Sequence, residues 1–71
     1  MLTITGQTVS RGDRLEQVIQ IGLAILPLPV VVQQVDEEHN GMILGSDLDG
    51  PPRKNLDGSV RLYKSQKFRK V

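Results

Sequence analysis

Arg14-Leu15-Glu16-Gln17-Val18-Ile19-Gln20-Ile21-Gly22-Leu23-Ala24-Ile25-Leu26 is the stretch on which the fold of this 71-residue chain turns. It is preceded by Asp13, and Glu16 follows three residues later, the spacing of a capping box with Asp in place of the usual Ser or Thr. Leu15, Val18, Ile19, Gly22, Ile25 and Leu26 fall on one helical face, with Glu16, Gln17, Gln20 and Ala24 on the other. Pro27 stops the pattern. These features predict an amphipathic helix over 14–26. The same residues also alternate. Ile19, Ile21, Leu23 and Ile25 interleave with Gln20, Gly22 and Ala24, and β-branched residues around a glycine suit a strand. Two fold classes follow. One is α+β, with one helix packed on a small antiparallel sheet; the alternative is an all-β small barrel with 14–26 extended. The cap and the length favour the first.

Downstream, Pro27-Leu28-Pro29 is extended, because proline fixes φ and restrains its predecessor. In Leu26-Pro27-Leu28-Pro29 the leucines read as core, in preference to a polyproline ligand. Val30-Val31-Val32-Gln33-Gln34-Val35 is a strong strand former, and Met42-Ile43-Leu44 is its return, so residues 30–46 are expected to form a β-hairpin. Asn40-Gly41 is a favoured central pair for a tight turn, since both accept positive φ. A four-residue loop from Glu38 to Gly41 is the preferred reversal, because it sets Val35 opposite Leu44. In that register Val31 and Val35 share a face with Met42 and Leu44.

Upstream, Leu2-Thr3-Ile4-Thr5 alternates and suits a short strand, extended through Gln7-Thr8-Val9 past a bulge at Gly6. Beyond the hairpin, Gly45 to Gly58 is rich in Asp, Gly and Pro. Leu48-Asp49-Gly50 and Leu56-Asp57-Gly58 look alike because both are Asp-Gly turns. Ser59 to Lys64 reads as a strand with Val60 and Leu62 facing in and Arg61 facing out. Gln66 to Val71 is a last strand or a basic tail carrying Phe68. The expectation is one small domain over 1–71, with a flexible loop at 47–58 and a basic end at 66–71.

A chain this short supplies only a few kcal/mol from a lone core. It has no cysteine and one histidine, which removes disulfides, thiolate metal sites, thiol nucleophiles and multi-histidine clusters within one chain. Good packing or oligomerisation must serve instead. Hydrophobic residues make up 38% of the chain, enough for a core. The N-terminus lacks the basic and apolar regions of a signal peptide. The apolar run from Val18 to Val32 is interrupted by Gln20, Pro27 and Pro29 and falls short of the roughly 20 residues a spanning helix needs. A soluble, cytoplasmic protein without membrane partners is expected.

Met42-Ile43-Leu44-Gly45-Ser46-Asp47-Leu48-Asp49-Gly50 resembles the first motif of haloacid dehalogenase-like phosphatases. The resemblance implies Asp47 as nucleophile and Asp49 as acid/base beside a magnesium ion. It covers nine residues, Pro51 stands where that family has Thr or Val, and the chain is too short for that family's α/β domain. A turn with solvated aspartates is the better reading. As an EF-hand loop the segment fails, because Gly45 and Leu56 fall where acidic ligands are required. Arg11-Gly12-Asp13 reads as a turn and cap. His39 is a solvated tip residue beside Glu37 and Glu38. No serine has a base for triad chemistry. No enzymatic activity and no cofactor are expected.

Net charge is +1, but its layout is uneven. Asp36, Glu37, Glu38, Asp47 and Asp49 make an acidic middle. Arg53, Lys54, Arg61, Lys64, Lys67, Arg69 and Lys70 make a basic final third, opposed only by Asp57. The functional expectation is a small non-enzymatic interaction module that binds a protein partner or a second copy of itself. Its candidate partner-binding residues are Arg61, Lys64, Lys67, Arg69 and Lys70. The alternative is nucleic-acid binding by the same residues along a phosphate backbone. Tyr63 and Phe68 are the only aromatics, which is thin for base stacking.

Overall fold

The computed structural model describes residues 2–71, apart from the side chain of Lys67. Its six strands are β1 (Thr3–Ile4), β2 (Gln7–Thr8), β3 (Arg14–Ile21), β4 (Ala24–Asp36), β5 (Gly41–Gly45) and β6 (Phe68–Lys70). A single 3-10 turn, Ser65–Lys67, leads into β6. β1 and β2 form a two-stranded antiparallel sheet, and the rest form a four-stranded antiparallel sheet in the order β5-β4-β3-β6.

The helix expected over 14–26 is therefore corrected. The stretch is β3, a turn and the start of β4, and among the described residues no helix packs on either sheet. Ile21 pairs with Ala24, leaving Gly22-Leu23 as a two-residue loop. Gly22 has φ of 60°. A positive φ at the first central position alone marks a type II′ turn, whose twist matches that of the flanking strands. Asp13 caps no helix. Its carboxylate accepts from the Ser10 N–H at 2.8 Å, and its own N–H donates to the Ser10 carbonyl at 3.1 Å. Arg11-Gly12 is thus a closed turn feeding β3.

The hairpin expected over 30–46 is present, with its register shifted. Asp36 pairs with Gly41, so the loop is Glu37 to Asn40, and Val35 lies opposite Met42. Asn40 has φ of 52°. Val32 lies opposite Leu44 across a bulge at Gln33. That extra residue lets Val30, Val32 and Val35 share the inner face with Met42 and Leu44, while Val31 turns to the other side. The Gln33 amide then donates to the carbonyls of Asp47 and Gly50, both at 2.9 Å. Gly45 lies beneath it, where a Cβ would run into the Gln33 amide.

Gly6 is a turn rather than a bulge. Thr3 pairs with Thr8 and Ile4 with Gln7, and Thr5 and Gly6 both hold positive φ, at 50° and 81°. Ser59–Lys64 is not a strand. It touches its neighbours through the isolated pairs Lys54–Val60 and Met42–Tyr63. Val60 and Leu62 are exposed, and Tyr63 is the residue that packs against the core. Phe68 is buried in β6, as expected of a last strand. Asn55 to Ser59 closes a three-residue loop in which Gly58 holds φ of 89°.

The core comprises Leu2, Ile4, Val9, Leu15, Val30, Val32, Met42, Leu44 and Phe68. It sits at one end of the four-stranded sheet, where Leu2, Ile4 and Val9 join it and β1 lies beside β6 and the 3-10 turn. Beyond Gln17 and Leu28, β3 and β4 run on as a two-stranded arm. The radius of gyration is 12.0 Å, above the roughly 11 Å of a compact chain this long.

Candidate interaction surface

The register of β3 on β4 decides what the arm presents. Leu15 and Val30 are opposite each other and buried. Opposed residues on paired strands share a face and alternate along it. Gln17 with Leu28, Ile19 with Leu26, and Ile21 with Ala24 therefore continue the core face outward. Val18 with Pro27 and Gln20 with Ile25 form the other face. The outward side chains are apolar yet open to solvent: Ile21 is 61% exposed, Ile25 65%, Leu26 50%, and Leu23 at the tip is fully exposed. Residues 18–29 carry no charged side chain. A continuous exposed apolar patch on a small protein is a candidate contact surface.

The two edges of the arm differ. The Val71 N–H donates to the Arg14 carbonyl at 3.2 Å, and the Val32 N–H to the Asp13 carbonyl at 2.9 Å. The ladder phase follows. In β3 the backbone groups of odd-numbered residues point to β4, and those of even-numbered residues point outward. β6 reaches only as far as Phe68, opposite Gln17. Past it, among the described residues, no strand pairs with the Val18 carbonyl or with the N–H and carbonyl of Gln20. On β4 the outward positions of the arm are Ile25, Pro27 and Pro29. Two of these three have no N–H, so this edge cannot sustain a ladder. An open groove lined by Gln17, Val18, Ile19, Gln20, Gln66 and Phe68 runs beside the free β3 edge.

The candidate residues of the basic third are placed as follows. Arg69 donates from Nε and Nη2 to Glu16 Oε2, at 3.0 and 2.7 Å. Lys70 Nζ lies 3.3 Å from Asp13 Oδ2 and donates to the Thr8 carbonyl at 3.1 Å. Lys64 Nζ donates to the His39 carbonyl. The Arg61 guanidinium stands over the Tyr63 ring, 4.9 Å from its centroid. The side chain of Lys67 lies outside the described residues. Arg53, not among the candidates, is 5.9 Å from the same ring and donates to Gln17 Oε1 at 3.0 Å. Arg53 and Arg61 flank Tyr63 and Lys64 reaches the turn of the 30–46 hairpin, while Arg69 and Lys70 fasten β6 to β3 and to the turns before it.

The acidic residues are held by turns. His39 Nδ1 is 2.9 Å from Asp36 Oδ2, and hydrogen bonds from the His39 side chain and backbone hold the Asp36 carboxyl below its ordinary value. The Asp57 carboxyl is likewise lowered, by the hydroxyl and N–H of Ser59. Asp47 and Asp49 are exposed turn residues. Among the described residues no three His, Cys, Asp or Glu side chains gather as a metal-holding group. None of them forms a helix long and apolar enough to cross a membrane. Compared with protein-family models, curated proteins and solved structures, the chain matches none.

Sequence reasoning drew its candidate residues from the basic third and did not single out the arm. The signal was available in the uncharged run from Val18 to Pro29 and in the prolines spaced two apart on one strand.

Proposed function

We propose that the protein is a non-enzymatic interaction module that associates with a second copy of itself through the β3–β4 arm. The observation that carries this is the apolar face of the arm, continuous with the core face and free of charge from Val18 to Pro29. An isolated two-stranded hairpin is marginal in water, whereas three or more strands with an apolar face can stand. Contact with a second arm supplies the missing strands. With no like charges to oppose each other, two copies approach without repulsion.

Phosphate-backbone binding has less support. Arg69 and Lys70 are engaged with Glu16 and Asp13, and Arg61 is stacked on Tyr63.

Sedimentation equilibrium tests the proposal. The wild-type chain is expected to associate as its concentration rises. Ile21→Asp, at an exposed position, is expected to remain monomeric while keeping the wild-type circular dichroism spectrum. A wild-type chain that stays monomeric at millimolar concentration would remove the proposal.

A further inference from the structure

We infer that the contact is made edge to edge: β3 of one copy pairs antiparallel with β3 of the other, about a twofold axis passing beside Gln20. The inference rests on the self-association proposed above and specifies its geometry.

Three observations lead to it. The first is the asymmetry of the edges. Backbone hydrogen bonding is open on β3 at the Val18 carbonyl and at both groups of Gln20, and is interrupted on β4 by Pro27 and Pro29. Each arm therefore has one edge able to accept a strand. One such edge per molecule closes an assembly at two copies, whereas an arm open on both edges would continue into a filament.

The second is parity. A twofold axis perpendicular to the arm keeps both apolar faces on the same side. Only residues facing the same way may then stand opposite, so the pairing centres on a residue rather than between two. Centring on Ile19 would set Glu16 opposite Gly22 of the second copy, but Glu16 is already paired with Arg69 of β6. Centring on Gln20 leaves β6 in place. It joins the two Gln20 residues by a pair of N–H to carbonyl bonds and sets Ile19 beside Ile21 of the second copy. The turn of the second arm then faces Val18, at the mouth of the groove that Gln66 and Phe68 close.

The third is composition. The strand segment to be paired, Val18-Ile19-Gln20-Ile21, is uncharged and rich in β-branched residues, and it lacks the lysines and prolines that protect an exposed edge from pairing. The other edge has such protection. The result is a four-stranded sheet, β4-β3-β3-β4, carrying Ile19, Ile21, Leu26 and Leu28 of both copies on one face.

Proline substitution on the full chain separates the edges. Gln20→Pro removes an outward N–H and leaves the β3–β4 ladder its own bonds. Ile25→Pro does the same on the opposite edge and serves as the matched control. By sedimentation equilibrium, Gln20→Pro is expected to weaken dimerisation by at least tenfold and Ile25→Pro to leave it unchanged. Gln20→Cys gives a further readout that needs no proline. With no native cysteine, mild oxidation is expected to yield a disulfide-linked dimer, because twofold-related Cα atoms of such a pair stand about 5.5 Å apart. A wild-type dimer that survives Gln20→Pro, is split by Ile25→Pro, or fails to crosslink at residue 20 would overturn the edge assignment and leave self-association standing. A wild-type monomer would overturn both.

Discussion

Thr5 holds φ at 50°, a region that β-branched residues rarely enter, and Gly6 beside it holds 81°. The turn between β1 and β2 requires positive φ at both positions, and glycine fills only one of them well. Thr5 offsets part of the strain by donating its hydroxyl to the Ile4 carbonyl at 2.7 Å. Asparagine accepts this backbone region readily, so Thr5→Asn is expected to stabilise the fold by about 0.5–1 kcal/mol. A thermal melt should show this as a rise of a few degrees, and an unchanged or lower midpoint would contradict it. In the sequence, Gly6 announced an interruption but not its kind. A bulge and a turn both use a glycine at positive φ, and only the pairing of Thr3 with Thr8 separates them. Asp13 was ambiguous for the same kind of reason. Its carboxylate accepts an N–H three residues away as well in a turn as at a helix start, and here that N–H belongs to Ser10.

At the scale of elements, the stretch 14–26 satisfied two periods at once. Leu15, Val18, Ile19, Ile25 and Leu26 fit a helix, and Ile19, Ile21 and Ile25 fit a strand. What decided the outcome was distant: Leu15 pairs with Val30 on one side and with Lys70 on the other. Such long-range pairing leaves no local trace, whereas the 30–46 hairpin was legible because its strands and turn are adjacent. Its register was missed by the bulge at Gln33, which depends on the carbonyls of Asp47 and Gly50 arriving from the loop beyond β5. Gln33→Ala removes both bonds and is expected to destabilise the protein by about 1–2 kcal/mol. Urea unfolding is the appropriate measurement, and an unchanged midpoint would show that the amide does not hold the loop.

At the scale of the molecule, the chain is divided into a core end and an arm. The core end is fastened by Arg69 to Glu16 and Lys70 to Asp13, so much of the basic third that stood out in the sequence is spent on intramolecular contacts. Charge layout was readable along the chain, but its partners were not, because Glu16 and Arg69 meet only once β3 and β6 pair. The arm was hidden by the assumption that an apolar run belongs to a core. Here the apolar run extends past the core, with prolines guarding one edge and nothing guarding the other. Amide hydrogen exchange across a protein dilution series tests that account most directly. The Gln20 N–H is expected to exchange slowly at high concentration and to speed up on dilution, while the Ile25 N–H exchanges fast throughout. A Gln20 N–H whose exchange is equally fast at every concentration would contradict it.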